Sequence, residues 1–307
     1  MNGLLVSLQG AVAQGVLWGV MVLGVYITFR LMDIADLTVD GSFALGACVC
    51  AVLVVEKGVD PVLALAVATI SGLIAGAVTG ILHTVFEIPA ILAGILTQIS
   101  LWSINLRIMG GKSNMPLLKT KTLISGLADS FGLTQAQASM IVGVVVAFLM
   151  IAFLYWFFGT EIGSAMRATG NNEDMVRALG VNTKMTKLLS LTLSNGLVGL
   201  SGALVCQSQK YGDVGSGTGA IVIGLAAIVI GEVLMGRLTS FYWKLTSVVV
   251  GSVIYFVIRA VVLRMGMDAN DMKLLSAIIV ALALCIPVAL SKYRLRKEYT
   301  EGGDETC

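Results

Sequence analysis

Long stretches without charge, each about as long as a bilayer is thick, constrain this chain more than any other feature. A helix needs about 20 mainly apolar residues to cross the hydrocarbon core. Windows of that kind are residues 11–29, 41–55, 61–86, 88–106, 139–158, 187–206, 218–235, 243–262 and 273–291. Charged residues make up only 12% of the chain, against about 25% in an ordinary soluble domain. The sequence therefore predicts an all-α polytopic membrane protein with about nine transmembrane helices, within a range of about eight to ten.

The gaps between these windows are too short and too polar for an independent soluble core. Residues 1–307 are therefore predicted to form a single transmembrane domain. Basic residues favour the cytoplasmic side of a membrane, and four of them lie in the tail 292–307. With nine spans, the loop 159–187 also faces the cytoplasm, while the N-terminus and the loop 107–138 face outward. The composition excludes a soluble enzyme and a nucleic-acid-binding protein.

The residues that catalysis or metal binding would need are not arranged for either. One histidine, His83, and five cysteines without ligand spacing give no metal site. The string Gly111-Lys112-Ser113 ends like a phosphate-binding loop, but the first glycine of that motif would fall at Leu106. We therefore predict no catalytic residue, no metal ligand, no cofactor bound by this chain and no enzymatic activity of its own.

The segment FRLMDIADLTVDGSFALGA, residues 29–47, places three acids between two apolar runs. We interpret Asp40-Gly41-Ser42 as a break followed by the start of a short helix. Irregular backbone at membrane depth is tolerated only beside protein or a water-filled cavity. We therefore predict a solute pathway lined by polar residues near span breaks. They are Asp36, Thr38, Asp40, Ser42, Gln98, Asn105 and Asn195. The alternative is that these residues form helix caps and interhelical hydrogen bonds.

The loop 159–187 is unusually polar for this chain and has apolar residues at helical spacing. The pattern predicts a short amphipathic helix, a turn at Gly170-Asn171-Asn172, and a second short helix that ends at Gly180. Such a structured polar loop is typical of a docking element for a soluble partner. The alternative is a solvated connection between two spans.

Three segments carry a resemblance to a known family. The loop contains GSAMRATGNNEDMVRALGVNTKMTK, which is similar to the cytoplasmic coupling loop of ABC-importer permeases of the branched-chain amino acid and ribose type. The segment IADLTVDGSFALGA resembles the I-D-L-S-V-G-S motif of the sugar members and the N-x-A-H-G motif of the amino-acid members. Residues 193–232 are similar to the tryptophan/tyrosine-type or unassigned subgroup. Asp40, inserted before Gly41, departs from the sugar motif and favours a substrate unlike ribose.

The resemblance implies a permease subunit of a bacterial-type ABC importer in the plasma membrane. Its implied partners are a second copy of itself, two cytoplasmic ATPase subunits that bind ATP and Mg²⁺, an extracellular solute-binding lipoprotein and membrane lipid. The implied cargo is a small polar solute, an amino acid or a similar molecule, with aromatic ones included. The remaining alternative is a secondary transporter or channel for a small solute.

The resemblance also implies which residues contact the ATPase. They are Glu161, Ile162, Gly163, Met166, Arg167, Ala168, Thr169, Gly170, Asn172, Glu173, Arg177 and Gly180. Within this set we expect Gly170 to adopt a left-handed conformation at the end of the first short helix. We expect Arg167 to offer its guanidinium to a carboxylate of the partner.

Overall fold

The computed structural model describes residues 2–118, 120–235 and 240–266, together with 271, 274, 276–282 and 285. These residues form α-helices, one π-helical turn and two short strands. In chain order they are α1 (Asn2–Tyr26), the π-turn (Ile27–Leu31), α2 (Thr38–Val55), α3 (Pro61–Thr84), α4 (Ala90–Ile108), β1 (Asn114–Pro116), α5 (Leu123–Phe131), α6 (Gln135–Gly159), α7 (Glu161–Asn171), α8 (Glu173–Ala178), α9 (Thr183–Gln209), β2 (Tyr211–Asp213), α10 (Ala220–Met235) and α11 (Phe241–Arg264). The predicted all-α class is confirmed.

Seven helices in the described part of the chain are long and apolar enough to cross a membrane. They are α1 with the π-turn, α2, α3, α4, α6, α9 and α11, and each coincides with one predicted window. The window 218–235 corresponds to α10, which has only 16 residues. Most of the window 273–291 and the whole tail 292–307 lie outside the described residues.

The helices pack closely because glycines remove side chains from their contacts. A Cβ on Gly72 or Gly76 of α3 would lie 2.3 Å from a backbone oxygen of α9. Gly202 of α9 faces α2 in the same way, at 2.1 Å from the carbonyl oxygen of Phe43. Small residues let helix backbones approach within a membrane, where van der Waals packing drives association. Helix α9 thus lies between α2 and α3.

The bundle has two distinct ends. Helices α7 and α8 connect α6 to α9 at one end, which we call the α7–α8 end. At the other end, the hairpin end, β1 pairs antiparallel with β2, and Gln14 of α1 contacts Gln209 at 3.4 Å. The early part of α1 and the loop between α4 and α6 therefore lie opposite the loop 159–187, as the predicted topology requires.

The break after the first span begins earlier than predicted. Residues 32–37 are irregular, with Asp33 at a φ of 53°, and α2 already begins at Thr38. The Asp36 carboxylate caps this helix by accepting the Thr38 N–H at 2.9 Å. The prediction that helix formation restarts at Asp40-Gly41-Ser42 is wrong, because the Asp36 cap moves the start of α2 two residues toward the N-terminus.

Candidate functional site

Helices α7 and α8 form an elbow whose two arms are fixed by side-chain caps. The Thr160 hydroxyl accepts the Gly163 N–H at 3.3 Å at the start of α7. The Asn172 carboxamide oxygen accepts the Met175 N–H at 3.0 Å at the start of α8. The predicted pair of short helices is present, although α8 ends at Ala178, before Gly180. N-caps of this kind define where a short helix begins.

Gly170 has a different role from the one expected. It lies inside α7, which continues to Asn171, and it does not have a positive φ. The expectation of a left-handed Gly170 is therefore wrong. A Cβ built at this position would lie 1.8 Å from the carbonyl oxygen of Leu31 and 2.9 Å from Cα of Met32. Gly170 is needed because α7 touches the backbone at the end of the π-turn, at Leu31 and Met32.

The predicted ATPase-coupling residues divide by exposure. Gly163, Met166 and Thr169 are buried. Arg167, Ala168, Gly170 and Glu173 are half-buried. Glu161, Ile162, Asn172, Arg177 and Gly180 are exposed. Only the last two groups present side-chain or backbone surface to a partner, while the buried ones hold the elbow against the bundle.

Sequence reasoning left three exposed apolar residues out of this candidate surface. Met175, Leu179 and Met185 have 52%, 73% and 51% of their surface exposed, and Ile162 has 54%. We call these four residues the apolar elbow surface. The available signal was the i, i+4 spacing of Met175, in α8, and Leu179, the residue directly after this helix. Exposed apolar groups rimmed by polar ones are typical of a protein contact.

One ion pair attaches the elbow to α9, and a second lies within α8. The Glu173 carboxylate lies 2.5 Å from Nζ of Lys187 and 2.8 Å from the Arg177 guanidinium. The hydrogen bond from Lys187, aided by the two positive charges, holds the pKa of Glu173 below its ordinary value. Farther along, Lys184 pairs with Glu87 at 2.8 Å. Glu173 therefore stabilises the elbow in addition to any contact with a partner.

Arg167 reaches toward α11. Its guanidinium carbon lies 5.2 Å from the centre of the Phe241 ring. Its Nε is buried and has no hydrogen-bond partner among the described residues. Stacking on an aromatic ring leaves the donors at the edge of a guanidinium available. A contact between Arg167 and a carboxylate of a partner stays a prediction.

The predicted solute-pathway residues are mostly tied into helix contacts. Asp36 accepts a hydrogen bond from Asn195 Nδ2 at 2.6 Å. The hydroxyl of Thr38 lies 2.8 Å from that of Thr79, which donates to Thr97 at 2.9 Å. These contacts join α2, α3, α4 and α9 near the break. For Asp36, Thr38 and Asn195 they have the form of the caps and interhelical hydrogen bonds that the sequence left as an alternative.

Asp40 caps a helix that lies far from it in the sequence. Its carboxylate accepts the Gly219 N–H at 2.8 Å and the Ile221 N–H at 2.9 Å, at the first turn of α10. A Cβ on Gly217 would lie 1.9 Å from the Asp40 carbonyl oxygen, so glycine lets this loop reach α2. A carboxylate is favourable at a helix N-terminus. Asp40 therefore fixes one end of α10.

The other three predicted pathway residues lie beside this contact. Gln98 and Asn105 border a small cavity of about 20 Å³ that Asp40 also lines. The Asn105 Nδ2 group donates to the Gly41 carbonyl oxygen at 3.5 Å. The Asn105 Oδ1 and Ser42 Oγ atoms are buried without a partner among the described residues. This cavity has room for about one water molecule, so it is too small for a solute.

The far end of α10 is also held by the segment between the first two spans. The Arg30 guanidinium pairs with Glu232 at 2.7 Å. Residues 27–42 therefore contact α7 through the backbone at Leu31 and contact both ends of α10. This continuous path of contacts runs from the α7–α8 elbow toward the middle of the bundle.

An all-helical bundle with several helices long enough to cross a membrane and a capped helix pair at one end is the architecture of a multi-pass membrane protein. The chain matches the family described as branched-chain amino acid transport system / permease component over residues 7–286, and it belongs to this family of ABC-transporter permeases. It is therefore a transport subunit of the plasma membrane rather than an enzyme. The family implies an ATPase and a binding protein as partners.

Individual relatives agree with this membership. The chain is 38% identical to the tyrosine transport system permease protein of Clostridioides difficile, over 87% of this chain and 86% of that protein. It is 31% identical to an uncharacterized protein of Rickettsia prowazekii, RP368, over 92% of this chain and 97% of that protein. It is 29% identical to the autoinducer 2 import system permease protein LsrC of Escherichia coli, over 53% of this chain and 45% of that protein.

Proposed function

We propose that this chain is the membrane subunit of an ATP-driven importer for an amino acid, with the α7–α8 elbow as its ATPase contact. The observation that carries the proposal is the elbow itself. It combines the exposed apolar elbow surface with caps and ion pairs that hold its two helices in place. A rigid, partly apolar element of this kind is suited to fit a groove of a soluble partner.

The proposed assembly contains two copies of this chain, two cytoplasmic ATPase subunits carrying ATP and Mg²⁺, and an extracellular solute-binding lipoprotein. Residues 1–307 act as a single transmembrane permease domain with about nine spans, and the α7–α8 end and the tail 292–307 face the cytoplasm. The basic residues of these regions support this orientation. The similarity to the tyrosine transport permease of Clostridioides difficile supports an amino acid as the solute.

The contacts of residues 27–42 support a coupling route from the elbow to α10. A displacement of α7 acts on the backbone at Leu31, against which Gly170 is packed. The same segment bears Arg30 and Asp40, which contact α10 at its two ends. The ATPase motion thus reaches the interior of the bundle through rigid elements already in contact, without a new contact having to form.

The proposal is tested by assembly of the permease with an ATPase subunit of an ABC importer. We expect the purified chain alone to hydrolyse no ATP and the reconstituted complex to couple hydrolysis to amino-acid uptake. Leu179→Asp places a charge on the apolar elbow surface and should abolish co-purification of the ATPase. The control is Leu118→Asp at the hairpin end, where Leu118 is 75% exposed, and it should leave assembly unchanged. Uptake that needs no ATP, or equal assembly of both variants, would contradict the proposal.

A further inference from the structure

A cavity of about 510 Å³ lies beside the elbow, between the end of α6, the helix α7 and the start of α11. Cavities that bind small molecules commonly measure about 300–1,000 Å³. Both α6 and α11 are long and apolar enough to cross a membrane, so a cavity at their ends lies at the level of the lipid head groups. Residues of all three elements line it, and we call it the elbow cavity. Among them are Tyr155, Trp156, Phe158, Arg167, Ser240 and Phe241.

Aromatic side chains with polar tips surround the elbow cavity. Tyr155 and Trp156 of α6 line it and have 53% and 66% of their surface exposed. Tyr242 and Trp243 follow on α11, where the centre of the Tyr242 ring lies 6.2 Å from that of Tyr155 and 5.7 Å from that of Trp243. Tyrosine and tryptophan are enriched where a membrane meets water. These four rings therefore support a position at head-group depth, independently of the helix lengths.

Arg167 gives the elbow cavity a positive charge. No acidic residue of the described chain lines the cavity, and Arg167 forms no ion pair with any described residue. Its guanidinium stacks on the Phe241 ring at 5.2 Å. The Nε atom is buried, whereas the two terminal nitrogens are accessible and form no hydrogen bond within the described structure. The planar fork of a guanidinium matches a phosphate group, so a phosphate in the cavity supplies the acceptors that Arg167 lacks.

The start of α11 adds donors from a second helix. Ser240 lines the cavity at the N-cap position of this helix of 24 residues, but its side chain makes no cap hydrogen bond. The N–H groups of a first turn have no partner within their own helix, and an anion is favourable beside them. In contrast, the start of α7 is closed by Thr160, which accepts the Gly163 N–H. Arg167 and the uncapped start of α11 thus border one cavity and favour the same kind of ligand.

We propose that the elbow cavity binds an anionic phospholipid of the cytoplasmic leaflet. Arg167 and the start of α11 bind its phosphate, and Tyr155 and Trp156 contact its glycerol and the first part of its acyl chains. Basic pockets between spans on the cytoplasmic side are suited to anionic head groups. The assignment goes beyond the proposed function, from which it takes only the orientation, and it gives Arg167 a lipid phosphate in place of a partner carboxylate. Because Arg167 and Gly170 lie on the same helix, a bound lipid also holds α7 beside α11.

The test measures lipid binding by the purified full-length permease in detergent, without the ATPase. The probe is phosphatidylglycerol with a nitroxide near the head-group end of one acyl chain, which quenches tryptophan fluorescence at short range. Trp156 lines the cavity, so the quenching that disappears in Trp156→Phe is assigned to this site. We expect phosphatidylglycerol to bind about fivefold more tightly than phosphatidylcholine with the same chains, since one arginine near an anionic lipid contributes that much. Free glycerol phosphate at the same concentration should not displace the lipid, because it lacks the acyl chains.

Two variants act on the two sides of the cavity. Arg167→Gln removes the cation and should weaken phosphatidylglycerol binding at least about tenfold, since a charge-assisted contact is lost. Ser240→Asp places a carboxylate beside the phosphate and should weaken binding as well. Aspartate is a favourable N-cap residue, so Ser240→Asp should unfold at the temperature of the parent or above it, and its loss of lipid then reports recognition and not damage. The matched control is Arg177→Gln, which removes an exposed arginine of α8 that does not line the cavity and should bind like the parent.

Loss of binding in Arg167→Gln and Ser240→Asp, with parent-like binding in Arg177→Gln, supports the assignment. Equal binding of phosphatidylglycerol and phosphatidylcholine by the parent would overturn it, and so would an equal loss in Arg177→Gln, because the attraction would then come from the general charge of the elbow. Displacement by glycerol phosphate would identify free phosphate as the ligand and overturn the lipid. Unchanged lipid binding in Arg167→Gln, together with lost co-purification of the ATPase, would return Arg167 to a partner carboxylate. Lipid binding is measured without the ATPase, so failure of the chain to assemble with that subunit contradicts the proposed function alone.

Discussion

Replacing Gly170 by alanine adds one methyl group where α7 touches the backbone after the first span. The added Cβ would lie 1.8 Å from the Leu31 carbonyl oxygen, 2.7 Å from the Leu31 carbonyl carbon and 2.9 Å from Cα of Met32. Ordinary contacts of a Cβ begin near 3.4 Å. The two backbones would have to separate by about 1.6 Å, the difference between 3.4 and 1.8 Å.

This separation is costly because the atoms that would clash belong to backbone. A side chain can rotate away, whereas a backbone carbonyl moves only with its neighbours. Overpacking a well-packed site typically costs about 1–3 kcal/mol, and the short distance places Gly170→Ala at the upper end of that range. Alanine itself favours helix over glycine by about 1 kcal/mol, so the net destabilisation expected is about 1–2 kcal/mol.

The assay is uptake per ATP hydrolysed in vesicles that contain the permease, the ATPase and the binding protein. We expect Gly170→Ala to insert into the membrane and to bind the ATPase, but to lose at least half of its uptake per ATP. Gly159→Ala is the matched control, since a Cβ at Gly159, the last residue of α6, meets nothing within 4 Å. If the Gly170 variant couples hydrolysis to uptake as well as the control, the contact between α7 and Leu31 does not transmit the motion.

Three further predictions concern the contacts around the elbow and α10. Asp40→Ala removes the acceptor for the Gly219 and Ile221 N–H groups and should destabilise the purified permease by about 1–2 kcal/mol in thermal unfolding. The control is Asp60→Ala, which removes the similar α3 cap on Val62 and shows the cost of losing a cap alone. Unchanged transport by the Asp40 variant would show that α10 has no part in the mechanism. Glu173→Gln removes the ion pairs with Lys187 and Arg177 and should lower the free energy of unfolding by about 0.5–1 kcal/mol at pH 7. Because the folded-state pKa of Glu173 is lowered, this stability difference from the parent should be complete above about pH 5 and should shrink as the pH falls through the folded pKa. A stability difference that grows in acid would refute the ion pairs. Glu232→Gln breaks the exposed ion pair with Arg30, so it should change the free energy of unfolding by less than about 1 kcal/mol but lower the uptake per ATP hydrolysed. Normal uptake per ATP would show that this pair does not anchor α10.

Much of the bundle could be predicted from hydropathy because a membrane span needs only a long apolar run. Seven predicted windows correspond to helices long enough to cross. Helix α10 shows where this reasoning ends. Its window is as apolar as the others, but its first turn lies beside Asp40 of α2 instead of at the end of the bundle. Only the glycines at 215, 217 and 219 indicated that the chain bends there.

The elbow was predictable in outline and not in detail. Capping residues and apolar spacing indicated two short helices, since those signals are local. The reason for Gly170 is not local, because its constraint comes from Leu31, a residue that lies far from it in the sequence. A glycine selected for close packing and a glycine selected for a left-handed turn look the same in a single sequence.

The prediction of solute-pathway residues was also limited because contacts between distant segments cannot be read from a single sequence. Polar residues in an apolar chain are recognisable, but what they bind depends on which helices meet. Asp36 and Asn195 are 159 residues apart, and the Asn195 Nδ2 group donates to the Asp36 carboxylate. The Asn195 Oδ1 atom is buried without a hydrogen-bond partner among the described residues. Neither fact can be read from the sequence, because it depends on how α9 packs against the segment before α2.

Helix α10 connects these observations into one mechanical argument. Its 16 residues span roughly 24 Å at a rise of about 1.5 Å per residue, enough to reach from the Asp40 cap to the Glu232 pair. Its first turn accepts the Asp40 cap, and its last turn bears Glu232, which pairs with Arg30. Both contacts come from residues 27–42, the segment that α7 touches at Leu31. The Arg30–Glu232 pair is exposed and therefore weak, whereas Asp40 holds two backbone N–H groups of α10. In the proposed importer, we therefore expect a shift of the elbow to reach α10 chiefly through Asp40.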